Sequence, residues 1–331
     1  MSRKTAGVML LAWCVASSVA TRAQEASAPA APQPQEPATQ EPAAIFRSGV
    51  EAVTVSAIVR DRRGKVVRGL KQTDFELIDA GRQREISDFY TGQSNVSLAV
   101  LLDISGSMAV GGNMNRAREA VNVALSNLKA DRDEAALFTF DSSLQQVHTF
   151  TNQLHRITSI SLEGKPWGTT SLYDAIARTA ERAAERANRH RAVLVITDGV
   201  DTGSRMTPPQ VSYVASSIDV PVYLLVVSNP VDNPNHKLAV MEVTGNHEHP
   251  TTATLADLAR WTGGEMALSS DLEDATKALG ELMGNLRHQY LISFEPGARP
   301  GWHPLEIRTR KKNLIVHARS GYMAGVARAG S

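Results

Sequence analysis

The stretch LAVLLDISGSM, residues 98–108, decides the fold and raises the question of function. An apolar run, typical of a strand that is covered on both faces, stops at Asp103. Two serines follow at alternate positions, Ser105 and Ser107. A polar turn would explain part of this pattern, because Asp and Ser side chains bond to their own backbone. A cation site would explain all three side chains.

The middle of the chain alternates apolar runs with stretches of helical spacing. Beyond the opening stretch, the apolar runs are EAALFTF, RAVLVITD, VPVYLLVVS and GEMALS. Apolar residues recur at helical spacing at Ala117, Val121, Ala124, Leu125 and Leu128, at Leu172, Ile176, Ala180 and Ala183, at Leu255, Leu258 and Ala259, and at Leu279, Leu282, Met283 and Leu286. This alternation predicts an α/β fold with a mostly parallel central sheet and helices on both faces.

Short alternating strands with turn residues between them flank this α/β segment on both sides. They occupy residues 45–94 and about 288–326, whereas the α/β rhythm spans residues 95–287. Fifty residues of hairpins rarely fold alone. We therefore expect a small antiparallel β subdomain made of both flanks, with the α/β domain inserted in it. Two separate β appendages are the alternative.

The N-terminus has the pattern of an export signal. In residues 1–23, Arg3 and Lys4 precede an apolar stretch that is too short to span a bilayer comfortably. Residues 24–44 are rich in Pro, Ala, Gln and Glu and predict a linker. We expect a periplasmic, secreted or cell-surface protein whose mature chain has no stable membrane span. An uncleaved anchor is the alternative. The only cysteine, Cys14, lies in the signal, so the mature chain would have no thiol.

Polar side chains at one sheet edge predict a metal site. In a parallel sheet, ligands bind outside the carboxyl ends of the strands. Two predicted strands end in an aspartate, Asp103 and Asp198, so both carboxylates are expected at the same edge of the sheet. The segment GTTSLYDAI places Thr170 at a predicted helix start. Together with Ser105 and Ser107 these residues form an all-oxygen set, which suits Mg²⁺, Mn²⁺ or Ca²⁺. Neutral hydroxyls would leave the ion enough positive charge to attract an incoming carboxylate.

Other polar residues in these segments have ordinary structural explanations. Ser171 and Asp174 fit a capping box at a helix start. The segment TDGVDTGS could be a polar loop with a solvated Asp201. His247 and His249 lack the spacing of a zinc site and are expected on an exposed loop.

The segments DISGSM, GTTSLYDAI and ITDGVDTGS, in that order, resemble the metal-ion-dependent adhesion site of a von Willebrand factor type A domain. The resemblance spans about residues 94–287, and the flanks resemble the acidobacterial VWFA-related family. It implies a Rossmann-like domain that binds Mg²⁺ or Mn²⁺. The hydroxyls of Ser105, Ser107 and Thr170 would coordinate the ion, and the two aspartates would often act through water. A Glu or Asp of a partner protein would complete the coordination.

The favoured hypothesis is therefore a binding module and not an enzyme. A structural or assembly protein of the cell envelope, in which the metal only staples loops, is the alternative. A metal-dependent hydrolase is a third reading, but the chain offers no clear general base and no nucleophile elbow. The formal net charge of +1 does not favour a nucleic-acid partner. The basic run RTRKKN is expected to be a strand end and turn, with a membrane-surface or polyanion contact as the alternative.

Overall fold

A computed structural model describes residues 52–92, 94–160, 166–227 and 254–325 of the chain. The predicted signal peptide and linker, and the segment with His247 and His249, lie outside these residues. The strands are β1 Val53–Asp61, β2 Phe75–Asp79, β3 Arg82–Arg84, β4 Ile86–Thr91, β5 Val96–Asp103, β6 Glu134–Phe140, β7 Leu144–Thr151, β8 His190–Thr197, β9 Val222–Val227, β10 Met266–Ser269, β11 Tyr290–Phe294, β12 Gly301–Thr309, β13 Leu314–Ala318 and β14 Gly321–Ala324. The helices are α1 Asn113–Ser126, α2 His155–Thr158, α3 Leu172–Ala184, α4 Pro208–Ser217, α5 Leu255–Thr262 and α6 Leu272–Arg287.

The central sheet has six strands in the order β10-β9-β8-β5-β6-β7. All neighbouring pairs are parallel except β6 and β7, so the predicted mostly parallel sheet is confirmed. Strand β5 lies between β6 and β8, with Leu98 opposite Ala135 on one side and Ala192 on the other. All eight residues of β5 are buried, which explains its continuous apolar run.

Two hydrophobic cores cover the two faces of this sheet. Leu98, Val100 and Leu102 of β5 pack in the core that includes α1 and α6. Ala99 and Leu101 point to the other face, where α3, α4 and α5 pack. Alternate residues of one strand thus build both cores, as the pleat of a strand requires. This arrangement is the Rossmann-like α/β architecture predicted from the sequence.

Three elements of this unit were not predicted, namely strand β7 and the helices α2 and α4. Strand β7 pairs antiparallel with β6 at the sheet edge and is polar and partly exposed, so it has no apolar run to detect. Helix α4 starts with Pro208 after Thr207, whose backbone N–H donates to Oε1 of Gln210 at 2.8 Å. Its apolar residues do recur at helical spacing, at Val211, Val214, Ala215 and Ile218, so the sequence contains a signal for this helix.

The flanking strands form two antiparallel sheets, in the orders β13-β1-β11-β4 and β14-β12-β2-β3. Strand β1 pairs with β11 and β13, and β2 pairs with β12, so strands from before and after the central unit hydrogen-bond to each other. The two sheets share one core, which includes Val55, Leu77, Ile292, Phe294 and Tyr322. The antiparallel β element expected in the fold class is therefore present. The subdomain boundaries 45–94 and 288–326 stay a prediction.

One buried and one half-buried ion pair join the β subdomain to the central unit. The guanidinium of Arg319 is buried and donates to the carbonyl oxygens of Ser216 and Thr54, and it lies 3.5 Å from the carboxylate of Asp219. Arg60 of β1 contacts Glu265 at 2.6 Å, just before β10. Because Asp219 and Glu265 precede parallel strands, these contacts lie at the amino ends of the strands, away from Asp103.

The end of α6 is fixed by a buried ion pair between Arg287 and Asp133, at 2.5 Å. Asp133 also accepts the backbone N–H groups of Val96, at 2.9 Å, and Lys129, at 2.6 Å. Burial alone would raise the pKa of Asp133, but these hydrogen bonds hold it below its usual value. This carboxylate therefore links α6 to the start of β5 in its charged form.

Within the described residues, no helix is both long enough and apolar enough to cross a membrane.

We predict that Arg287→Ala strongly destabilises the fold. The change leaves the buried carboxylate of Asp133 without its cation, which costs about 3–5 kcal/mol when one partner of such a pair is removed. Arg308→Ala is the matched control, because Arg308 pairs with Glu306 on the surface. Its expected loss is below about 1 kcal/mol. Urea unfolding of both variants measures the two free energies. Equal losses would contradict the assignment of Arg287.

Candidate metal centre

The carboxylate of Asp103 is the most deeply placed group at the predicted site. The residue ends β5 and is 0% exposed. Its Oδ1 accepts the backbone N–H of Ser105 at 2.9 Å, and its Oδ2 accepts the hydroxyl of Thr197 at 2.6 Å. Burial, with a smaller contribution from the charge of Asp198, raises the pKa of Asp103 to about 6 despite these bonds. Among the described residues, Asp103 has no Lys or Arg at ion-pair distance.

The two serines of the DISGSM motif lie beside each other. Ser105 has an extended backbone, with φ −68° and ψ 168°, and precedes a 3₁₀ segment at Gly106–Gly112. This change of direction brings the Ser105 and Ser107 hydroxyl oxygens to 3.1 Å. Ser105 is buried and Ser107 is half-buried. The alternate spacing in the sequence therefore creates a pair of adjacent hydroxyl groups next to a buried carboxylate.

The loop that carries Thr170 is hydrogen-bonded to the serine loop. The backbone N–H of Trp167 donates to the carbonyl of Ile104, and the N–H of Gly106 donates to the carbonyl of Gly168, both at 3.1 Å. Gly168 has φ +89°, a backbone conformation that favours glycine. Thr170 itself is 2% exposed. These bonds fix the position of the threonine segment against the DISGSM loop.

The loop after β8 carries Asp198, which is 4% exposed. Its Oδ1 accepts the backbone N–H of Val200 at 3.2 Å. The loop is bonded to the threonine segment, because the Thr170 N–H donates to the Thr202 hydroxyl and the Thr202 N–H donates to the Thr170 carbonyl, both at 3.0 Å. The three predicted segments are thus joined at one sheet edge by hydrogen bonds within the protein.

Thr197 was not predicted to take part in this site. Its hydroxyl donates to Asp103 and accepts the N–H of Gly199 at 3.0 Å, so it links β5 to the loop after β8. Thr197 is 0% exposed. The only available signal was its position before Asp198 in the run ITD, at the end of an otherwise apolar strand.

The predicted capping box at the start of α3 is wrong. Ser171 precedes the helix but makes no side-chain capping bond. The first amides of α3 are bound by the loop after β8 instead. The N–H of Leu172 donates to Oδ1 of Asp201 at 2.8 Å, and the N–H of Tyr173 donates to Oγ of Ser204 at 2.9 Å.

The alternative of a polar loop with a solvated Asp201 does not describe this residue, because its carboxylate caps α3. Asp174 of α3 makes the reverse contact, since its carboxylate accepts the backbone N–H groups of Met206 at 2.8 Å and Arg205 at 3.1 Å. Helix α3 and the loop after β8 therefore cap each other. A partner 30 residues away in the chain cannot be found from a local capping pattern.

The donor chemistry of these three segments suits a hard divalent cation. Asp103 and Asp198 are buried carboxylates close enough for the charge of one to shift the pKa of the other. Hydroxyl oxygens lie on the same loops, and Mg²⁺ prefers oxygen ligands. In the described part of the chain, this edge of the sheet included, no group of three or more His, Cys, Asp and Glu side chains is placed to hold a metal, so a cation here would need the hydroxyl oxygens as ligands. A cation here would supply the positive charge that the buried Asp103 lacks.

Two large apolar side chains are exposed on the loops of this site. Trp167 is 83% exposed and precedes Gly168, and Val110 is 52% exposed in the 3₁₀ segment after Ser107. The backbone N–H of Trp167 donates to the carbonyl of Ile104, so the position of Trp167 is coupled to that of the serine loop. Exposed apolar side chains therefore lie on two of the chain segments next to the predicted ligand residues.

Comparison with protein families identifies one match. The model of the von Willebrand factor type A domain matches residues 98–200, a span that contains all five predicted ligand residues. A search of curated proteins found no significant match. The narrower resemblance of the flanks to the acidobacterial VWFA-related family lies outside the matched span and stays a prediction.

Several solved structures are similar to this chain. An aerotolerance-related membrane protein from Bacteroides fragilis has 17% identity and a TM-score of 0.44, covering 57% of this chain and 99% of its own. BatB from Bacteroides thetaiotaomicron has 18% identity and a TM-score of 0.42, covering 58% and 98%. A von Willebrand factor type A protein from Catenulispora acidiphila has 15% identity and a TM-score of 0.42, covering 76% and 74%.

These structural likenesses are distant, so nothing about what those proteins do is transferred from them. The family match contains the motifs DISGSM and GTTSLYDAI and the first five residues of ITDGVDTGS, three segments that the fold brings to one sheet edge. Residues 98–200 therefore match the von Willebrand factor type A domain.

Proposed function

We propose that this chain is an exported protein-binding module that holds a divalent cation and uses it to bind an acidic side chain of a partner protein. The ion, Mg²⁺ or Mn²⁺, would be held by Asp103, Ser105, Ser107, Thr170 and Asp198. The observation that carries the proposal is the buried Asp103 carboxylate, which lies beside a second carboxylate and hydroxyls but contacts no cationic side chain among the described residues.

The composition of this donor set supports a role in recognition. Two carboxylates and three neutral hydroxyls leave a divalent ion open to a further anionic ligand, which a set of four carboxylates would not. Within the chain, Thr197 and the Ser105 amide orient the Asp103 carboxylate through its two oxygens. The bound ion would supply an electrostatic attraction for a Glu or Asp side chain of the partner.

The exposed apolar side chains of Trp167 and Val110 support the proposal that the partner is a protein. Trp167 and Val110 would lose solvent contact when a partner covers the centre. Aromatic residues are enriched in the cores of protein interfaces and dominate their energetics. A partner segment with an acidic residue next to an apolar one fits this surface.

The hydrogen-bond network favours a binding module over a structural protein whose metal only staples loops. The loops of Ser105, Thr170 and Asp198 are already joined by backbone and side-chain bonds within the chain. A metal staple would duplicate these bonds. A hydrolase is less favoured because von Willebrand factor type A domains are generally interaction modules. Export rests on the signal pattern of residues 1–23 and is part of the proposal.

We predict that Mg²⁺ raises the thermal stability of the native chain and that Asp103→Asn abolishes this gain. A ligand that binds only the folded state stabilises it by about 2.7 kcal/mol at one hundred times its Kd. The matched control is Asp131→Asn, because Asp131 is exposed and precedes β6, at the other end of the sheet. Differential scanning calorimetry with Mg²⁺ and with EDTA measures the shift. An equal shift in the native chain and Asp103→Asn would contradict the proposed site.

A second prediction separates partner binding from metal binding. Immobilised native chain should capture a partner from the native cell envelope in Mg²⁺, and EDTA should release it. Trp167→Ala should keep the Mg²⁺-induced stabilisation but weaken capture, because the apolar contact is lost. The stapling alternative predicts the opposite, with capture unchanged by EDTA and by Trp167→Ala.

A further inference from the structure

Two basic turns lie beside each other at one end of the β subdomain. Strands β1 and β13 pair antiparallel, and Asp61 at the end of β1 lies opposite Leu314 at the start of β13. The residues after Asp61 and those before Leu314 therefore project from the same sheet edge, with strands about 5 Å apart. The first turn contributes Arg62, Arg63 and Lys65. The second contributes Arg310, Lys311 and Lys312. We call these six residues the basic end.

The backbone of the first turn is well defined. The N–H of Gly64 donates to the carbonyl of Asp61 at 2.9 Å, and Gly64 has φ +79°. The carboxylate of Asp61 accepts the backbone N–H groups of Arg63 at 2.8 Å and Lys65 at 3.0 Å. The one acidic residue of this turn is thus engaged with the backbone, while the basic side chains point outward.

Contacts with Asp74, the residue before β2, fix the position of the second turn. The N–H of Arg310 donates to the carbonyl of Asp74 at 2.9 Å, and Lys311 contacts the Asp74 carboxylate at 3.1 Å. All six side chains of the basic end are exposed. Within the described ranges, Arg62, Arg63, Lys65 and Lys312 have no acidic partner at ion-pair distance. Arg310 lies 3.4 Å from the carboxylate of Glu76, so among the described residues four of the six cations of the basic end have no such partner.

An exposed apolar residue adjoins this charge. Ile315 follows the second turn in β13 and is 52% exposed. Basic residues combined with an apolar side chain are the features that give a peripheral protein affinity for an anionic membrane surface. A single-stranded nucleic acid would instead call for aromatic side chains on which bases stack, and the two turns contain none.

We infer that the basic end is a docking surface for a membrane that contains anionic phospholipids. This surface is separate from the candidate metal centre. The chain next to the first turn contacts the segment after α6, because the Tyr290 hydroxyl donates to the Val67 carbonyl at 2.9 Å and Arg68 lies 3.5 Å from His288. That segment adjoins the amino ends of the central strands, whereas Asp103 lies at a carboxyl end. Docking at the basic end would leave the metal centre free for a partner.

The test is co-sedimentation of the chain, in the form purified from the producing cells, with two kinds of vesicle in EDTA. One kind is pure phosphatidylcholine, and the other contains about one third phosphatidylglycerol. The test variant combines Arg62→Gln, Arg63→Gln, Lys65→Gln and Lys312→Gln. The control variant combines Arg132→Gln, Arg156→Gln, Arg178→Gln and Lys277→Gln, which are exposed residues outside the basic end and remove the same charge.

The native chain is expected to sediment with the anionic vesicles and to be released by salt, which screens exposed charges. The test variant should bind at least about tenfold more weakly, whereas the control variant should bind like the native chain. Equal binding by the test and control variants would overturn the inference. So would binding to soluble duplex DNA or polyphosphate with no binding to anionic vesicles. Because EDTA is present throughout, failure here is distinguishable from failure of the proposed metal function.

Discussion

The hydrogen bond from Thr197 to the buried carboxylate of Asp103 is the interaction on which the site depends. Asp103 ends the central strand of the sheet, and Thr197 ends the neighbouring strand β8. Their contact fixes the point where two loops leave the sheet. Burial makes the charge of Asp103 unfavourable, and this is the physical reason to expect a cation beside it. The serine, threonine and second aspartate segments are arranged around that one buried group.

The molecule separates its stabilising ion pairs from this site. Arg287, Arg319 and Arg60 all act near the amino ends of the parallel strands, where the β subdomain joins the central unit. Their carboxylate partners are neutralised within the protein. At the carboxyl ends, by contrast, the described residues place no basic side chain against Asp103. The first arrangement stabilises a fold, and the second suits a bound ligand.

The sequence predicts the parts of this fold that repeat along the chain. The buried run of β5 and the apolar stripes of α1, α3, α5 and α6 have clear periodicity, and the aspartates at strand ends follow from strand direction. The polar edge strand β7 has no such signal, whereas helix α4 has one at Val211, Val214, Ala215 and Ile218 that was not used. The capping role of Asp201 was missed because its partner, the amide of Leu172, is near it only in the folded chain. Thr197 was missed because a single hydroxyl in an apolar run carries no pattern.

The most direct test of the central claim is the anomalous scattering of Mn²⁺ in a crystal of this protein. A metal centre at this site would give one strong peak at the carboxyl edge of the sheet, in contact with the hydroxyl oxygens of Ser105, Ser107 and Thr170. The same peak should be absent in crystals of Asp103→Asn. Native crystals at saturating Mn²⁺ with no peak at these hydroxyls would contradict the claim that this edge is a metal centre.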